Sequence, residues 1–208
     1  ANHAVLIVVQ APPKRSKKEK STKPKAQDQV TALFEKNGWT PFPFQKKAWS
    51  AYARGQSGLI HAPTGTGKTY AAWAGPLIEW MDEQAGKPMP KRAPELRVLW
   101  ITPLRALVKD TTHSLCSMIE ELGLPWTVEE RTGDTTGAIK AKQRKRFPNC
   151  LVTTPESLSL LLSYPETRQA FSNLRAVVVD EWHELLSTKR GVQTELGLAR
   201  LRKWNPKL

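Results

Sequence analysis

Residues 59–70 read LIHAPTGTGKTY. Ahead of the turn, Gly58-Leu59-Ile60-His61 is a short apolar run that predicts a buried strand. The chain then turns through Ala62-Pro63-Thr64-Gly65-Thr66-Gly67 and enters Lys68-Thr69 at the head of an apolar helix. The spacing is that of the phosphate loop, G-x-x-x-x-G-K-[ST], with Ala62 in place of the first glycine. Gly65 and Gly67 let successive backbone N–H groups turn inward around phosphate oxygens. The helix behind them aims its positive end at the same oxygens. Thr64, Gly65, Thr66, Gly67, Lys68 and Thr69 are therefore the candidate nucleotide cradle. In it, Lys68 faces the β- and γ-phosphates and the Thr69 hydroxyl faces Mg²⁺. The plainer reading, a Gly/Thr turn beside a chance lysine, leaves the strand, the glycines, Lys-Thr and the helix as a coincidence.

A phosphate loop of this kind needs an acidic partner on a neighbouring strand. Val177-Val178-Val179-Asp180-Glu181-Trp182-His183 supplies an apolar strand ending in two carboxylates. Asp180 fits the metal role. Glu181 is placed to orient or deprotonate an attacking water, and His183 to couple nucleotide state to the rest of the molecule. Lys68, Asp180, Glu181 and His183 are the candidate catalytic set. Read alone, the two acidic residues would serve equally well as a helix cap.

The chain of 208 residues suits one α/β domain with a tail. The formal charge of +13 favours a polyanionic partner. Part of it sits in residues 14–25, KRSKKEKSTKPK, which reads as a solvated run and carries no argument for nucleic acid. No apolar run is long enough to span a membrane. The run Ala4-Val5-Leu6-Ile7-Val8-Val9 is too short for a secretory signal and reads as a stray strand. Cys116 and Cys150 lack metal or redox spacing, as expected of thiols in the cytoplasm.

From these patterns residues 1–27 are expected to be a basic, flexible tail and residues 28–208 the domain. Helices are expected near 28–37, 45–54, 68–84, 103–122, 137–146, 155–162 and 192–201. Strands are expected near 96–102, 126–131, 150–153 and 175–180, besides the one before the phosphate loop. Trp73, Trp80 and Trp100 fall within apolar patterns and are expected in the core. Alternating strands and helices predict a parallel, helix-flanked sheet with active residues at the carboxyl ends of its strands.

APTGTGKT and DEWH together resemble motifs I and II of the superfamily 2 DExH-box helicases. Gln45, behind Trp39 and Phe44, resembles the adenine-reading glutamine of that superfamily. Its spacing from Gly38-Trp39 is one residue shorter than the common form. Thr102-Pro103-Leu104-Arg105-Ala106-Leu107, Thr132-Gly133-Asp134-Thr135 and Thr154-Pro155-Glu156-Ser157-Leu158 resemble the strand-contacting motifs, in order. The strings RTGDTT, VTTPESLSLLLS and DEWHELLSTKRGVQTEL are most similar to the large helicase-related family, and within it to the bacterial DNA-ligase-associated DExH helicases.

The resemblance covers residue 28 to the end and implies a RecA-like α/β phosphate-loop fold. It also implies ATP and Mg²⁺ as cofactors and translocation on single-stranded DNA in a repair setting, with a repair ligase or nuclease as partner. Thr102, Pro103, Arg105, Thr132, Gly133, Thr154 and Pro155 would be the nucleic-acid contacts, although each threonine taken singly reads as a helix cap. An RNA helicase domain is the alternative within the class. A nucleotide- or nucleic-acid-binding module without motor activity is the alternative outside it. Helicases of this kind carry a Ser-Ala-Thr motif after motif II and a second domain that supplies an arginine to the ATP. Neither is found in the 208 residues, so the expectation is a fragment or truncated form that binds ATP and hydrolyses it poorly.

Overall fold

The computed structural model describes residues 2–10, 26–93 and 95–208. Strand β1 (Asn2–Val9) is followed by helices α1 (Ala26–Lys36) and α2 (Pro43–Ala53). Next come β2 (Gly58–Pro63), α3 (Lys68–Gln84), β3 (Val98–Ile101), α4 (Arg105–Glu121), β4 (Val128–Arg131) and α5 (Gly137–Lys145). The chain continues through β5 (Cys150–Thr153), α6 (Pro155–Leu162), α7 (Thr167–Phe171), β6 (Ala176–Val179), α8 (Trp182–Leu185) and α9 (Lys189–Trp204).

The six strands form one sheet in the order β2-β1-β6-β3-β5-β4. β3, β4, β5 and β6 pair in parallel, as expected. β1 corrects the all-parallel expectation, because it pairs antiparallel with both β2 and β6. It also corrects the tail boundary: residues 2–9 lie inside the sheet and the helical part begins at Ala26. The expected basic run at 14–25 lies outside the described residues. The physical reason for β1's place is its composition. Ala4, Val5, Ile7, Val8 and Val9 are all buried, as suits a strand covered on both faces. Val5, Ile7 and Val9 point into the larger apolar cluster and Val8 into the smaller.

β2 also departs from expectation. It lies at the edge of the sheet, so Leu59 is 54% exposed rather than buried. The larger cluster fills the face carrying α1, α2, α3 and α4, and holds Trp73, Trp80 and Trp100 fully buried, as their patterns predict. The smaller cluster lies on the other face, under α6, α7 and α9. α7 was not expected, since five residues are too few for a periodic signal.

One charged cluster is set against the larger core. Glu79 of α3 accepts from the Arg175 guanidinium, from Arg97 Nη2 at 3.3 Å and from the Tyr52 hydroxyl at 3.1 Å. Arg97 also bonds Glu83 at 2.8 and 3.0 Å. Burial alone would raise the Glu79 carboxyl, but the Arg175 hydrogen bond and the Arg175 and Arg97 charges hold it below the usual carboxylate range. A lowered folded-state pKa contributes stability above the unfolded pKa, and that stability is lost as pH falls through the folded value.

Replacing Glu79 with Gln should therefore cost about 3 kcal/mol at neutral pH, because it leaves Arg175 nearly buried without its carboxylate. Urea unfolding at pH 7 and pH 4 checks this. The gap between wild type and Glu79→Gln should shrink at the lower pH. A loss below about 0.5 kcal/mol, the range of ordinary surface substitutions, would remove the cluster from the fold's supports.

Candidate nucleotide site and nucleic-acid groove

β1 runs antiparallel to both β2 and β6, so β2 and β6 are parallel to each other. The carboxyl ends of β2, β3, β4, β5 and β6 therefore share one edge of the sheet. Every candidate residue except Gln45 follows one of those ends. Thr64–Thr69 follow β2, Thr102–Arg105 follow β3, Thr132 and Gly133 follow β4, Thr154 and Pro155 follow β5, and Asp180–His183 follow β6. Main-chain bonds extend the sheet past the strand ends, Thr102 N to Thr153 O at 3.0 Å and Asp180 N to Ile101 O at 2.8 Å.

The phosphate loop closes on itself. Gly65 and Gly67 have φ of +78° and +79°, conformations that favour glycine. Thr66 Oγ1 donates to Pro63 O at 2.6 Å. Lys68 Nζ donates to Ala62 O at 3.0 Å and Pro63 O at 2.8 Å, which holds the ammonium over the loop at the start of α3. The donors fit a polyphosphate: a helix N-terminus with turned backbone N–H groups and one cation. Thr69 and Asp180 are hard oxygen donors, the type Mg²⁺ takes.

Gln45 is 2% exposed, and its amide already bridges two elements. Oε1 accepts from Phe42 N at 2.8 Å and Nε2 donates to Gly67 O at 3.0 Å. One N–H and one lone pair remain for a base. The half-exposed Trp39 and Phe42 stand on the same connection, with Trp39 5.8 Å from the Tyr70 ring.

At the β6 end, burial raises the Asp180 carboxyl, with the Glu181 charge adding to it, while the Glu181 N–H (2.9 Å) and the Lys68 charge oppose it. A cation bound there would remove that cost. Glu181 is a non-glycine residue at φ +46°, a left-handed conformation of the kind that persists where surrounding structure enforces it. Its Oε2 lies 2.5 Å from Nδ1 of His3 and 3.5 Å from Nδ1 of His183. His3 was missed by the sequence reading because nothing local links residue 3 to residue 181.

The nucleic-acid candidates divide. Arg105 and Gly133 are exposed, and Arg105 lies 3.5 Å from Asp134. Thr102 is fully buried and its hydroxyl has no hydrogen-bond partner among the described residues. Thr154 is also buried and caps α6 by accepting from Ser157 N. Pro103 and Pro155 are buried. Thr132 is 8% exposed and accepts from Asp134 N at 3.2 Å. Beside them lies a cleft of ≈ 810 Å³ between α4, β4 and α5. Arg105, Lys109, Thr132, Thr135, Thr136 and Lys142 line it, together with Glu129, Glu130 and Asp134. Lys109 and Lys142 were not among the expected contacts. The basic character of α5 was the signal that pointed to Lys142.

An edge bearing a phosphate loop on one strand and two carboxylates on another defines a phosphate-loop nucleotide-binding domain. Residues 42–207 match the DEAD/DEAH box helicase family, and the chain belongs to it. It is similar to the Lhr helicase/probable uracil glycosylase of Mycolicibacterium smegmatis, 37% identical over 77% of this chain and 11% of the relative. Likewise it matches the ATP-dependent helicase Lhr-Core of Sulfolobus acidocaldarius, 36% identical over 78% of this chain and 19% of the relative. The ATP-dependent RNA helicase mss116 of Aspergillus oryzae is 32% identical over 62% of this chain and 20% of that protein. The chain thus spans about a tenth to a fifth of these relatives. Among solved structures, Mycobacterium smegmatis helicase Lhr bound to ssDNA and AMP-PNP superposes with a TM-score of 0.66 at 33% identity, over 88% of this chain and 23% of that one. The DUF1998 helicase MrfA bound to DNA and AMPPNP shares the fold, with a TM-score of 0.68 at 20% identity, over 99% of this chain and 27% of that one.

A Cβ on Gly67 would meet Gln45 Nε2 at 2.6 Å, whereas one on Gly38, also at positive φ (+73°), meets nothing within 4 Å. Both Gly→Ala changes should cost roughly 1–2 kcal/mol of backbone strain. By displacing the Gln45 amide, Gly67→Ala should in addition weaken nucleotide binding roughly threefold to tenfold, the effect of losing one neutral hydrogen bond. Calorimetry with ATP decides it: equal losses in the two variants would mean that the Gln45–Gly67 contact does not shape the loop.

Proposed function

We propose that these residues form the ATP-binding front domain of an ATP-dependent helicase or translocase that moves on single-stranded DNA. The observation that carries this reading is the shared edge, with the phosphate loop of β2 and the Asp180-Glu181 pair of β6 facing the same side. Lys68 would hold the β/γ-phosphates, Thr69 and Asp180 would hold Mg²⁺, and Glu181 would orient water. Mg²⁺ supplies charge neutralisation between the phosphates. Gln45 and the nearby aromatic side chains would receive the adenine. The cleft beside Arg105, Thr132 and Gly133 would receive the sugar-phosphate backbone, which positions a strand without reading its sequence. The ssDNA and AMP-PNP of the Lhr structure support this assignment.

A second helicase domain in a longer parent chain would complete the ATP site. Arg190 cannot readily take its place, being bonded to Glu156 at 2.7 Å and to Pro103 O at 3.1 Å. The resemblance of RTGDTT and VTTPESLSLLLS to the DNA-ligase-associated helicases is what favours a repair setting with a ligase or nuclease partner. An RNA substrate is the second reading, favoured by the similarity to the RNA helicase mss116.

The chain should bind Mg–ATP in preference to Mg–GTP, and Lys68→Ala should weaken ATP roughly tenfold to a hundredfold while leaving adenosine unchanged. Turnover by the isolated chain should lie roughly 10³–10⁵ below that of a site with its arginine supplied. Single-strand binding is tested with the basic residues of 14–25 replaced by serine. It should fall steeply with salt, and Arg105→Ala should reduce the salt slope by about one ion. Equal ATP affinity in Lys68→Ala would overturn the nucleotide assignment. Salt-independent binding would overturn the groove, and a tighter hold on RNA than on DNA would favour the second reading.

A further inference from the structure

We propose that His3, Glu181 and His183 form a second cation site, for a borderline-soft divalent metal such as Zn²⁺, distinct from the Mg²⁺ position at Thr69 and Asp180. One ligand atom from each of the three residues lies within 4.8 Å of the others. Glu181 Oε2 is 2.5 Å from His3 Nδ1 and 3.5 Å from His183 Nδ1, and the two imidazole rings stand edge-on with centroids 4.6 Å apart. Four-coordinate Zn²⁺ at about 2.0–2.1 Å from its ligands separates neighbouring donors by roughly 3.3 Å. The His3–Glu181 pair must therefore open by less than about 1 Å and the two imidazoles close by a similar or somewhat larger step. All three side chains are partly exposed, at 25%, 19% and 31%, so both movements are sterically open.

Two features prepare the site. His183 Nε2 lies 3.3 Å from Glu184 Oε1, so a carboxylate stands beside the ring nitrogen that does not face Glu181. A carboxylate behind a ligating histidine is the usual arrangement that fixes tautomer and orientation. The Ala4 N–H also reaches His183 Nδ1, but at 3.5 Å it is a long contact that a metal would displace. The backbone at Glu181 is left-handed, and its carboxylate lies 3.5 Å from the imidazole two residues on.

The donor set decides the metal. Two imidazoles and one carboxylate suit Zn²⁺, Co²⁺ or Ni²⁺, whereas Mg²⁺ prefers oxygen and retains water. Three protein ligands leave a fourth position open to water. A loaded site would tie the start of β1 to the DEWH turn and engage the carboxylate assigned to water.

The test is titration of the full chain with CoCl₂ and ZnCl₂ in excess Mg²⁺, followed by the visible cobalt spectrum and calorimetry. The expected result is one tetrahedral Co²⁺ per chain, displaced by Zn²⁺. His3→Ala and His3→Gln should each weaken it at least about tenfold, as should Glu184→Gln through its outer contact. His61→Ala, His113→Ala and Cys116→Ser should leave it unchanged. Mg–ATP affinity measured on the His3 variants separates this site from the nucleotide site, since it should persist when the cobalt signal is lost. Absence of one-to-one binding, binding that survives both His3 changes, or binding lost with His61 or His113 would each overturn the proposal.

Discussion

The phosphate-loop strand is held in the sheet by a single pairing. Among the described residues β2 lies at the edge and bonds to β1 alone, through the register Asn2↔Pro63 to Ile7↔Gly58. β1 bonds on its other side to β6, through Leu6↔Val179 to Val9↔Ala176. Leu6 thus stands opposite both Leu59 and Val179, and the distance from the loop to Asp180 is set by two strand spacings, roughly 10 Å. A slip of one residue would turn Val5, Ile7 and Val9 out of the larger cluster, so the hydrophobic pattern and the ladder reinforce one another.

What the sequence made legible is what is encoded over a few residues. The strand, turn and helix around Lys68 are contiguous, and so is the apolar run ending in Asp180. The end of β5 and the start of α6 could be read to the residue because Pro155 and the Thr154 cap mark them. Strand direction was not legible, since an apolar run covered on both faces looks alike in parallel and antiparallel pairing. The edge position of β2 escaped for a related reason: exposure depends on which strand lies beside it. His3 beside Glu181, and Arg175 beside Glu79, are contacts between residues far apart in sequence, and no local spacing predicts them.

Electrostatics at the shared edge follow from that geometry. Asp180 is half-buried next to a second carboxylate, which costs its charged form, and it feels the Lys68 charge, which favours it. Lys68 meanwhile spends two of its donors on the carbonyls of Ala62 and Pro63. Both groups can gain from a ligand that brings phosphate oxygens and a cation together. Phosphate would replace carbonyl acceptors at Lys68, and the cation would neutralise Asp180. A cation without phosphate, or the reverse, would relieve one side and leave the other, which is a physical reason for a site of this shape to favour the metal–nucleotide pair.

The same edge is joined mechanically to the groove. The turn after Asp180 leads into α8 and then to Gly191 of α9, where an added Cβ would lie 2.0 Å from the Leu185 carbonyl oxygen. That approach permits only glycine, and it brings Arg190 to Glu156 at the start of α6 and to the Pro103 carbonyl ahead of α4. α4 forms one wall of the cleft that contains Arg105. A continuous line of packed backbone and one guanidinium therefore runs from the DEWH turn to the cleft. Transmission along it requires that the turn have two arrangements of different energy, since contiguity alone carries no coupling. Glu181 and Ser187, at the two ends of α8, both have left-handed backbones that a second arrangement could relax, and the Glu181 carboxylate is held by His3 at 2.5 Å with His183 3.5 Å away.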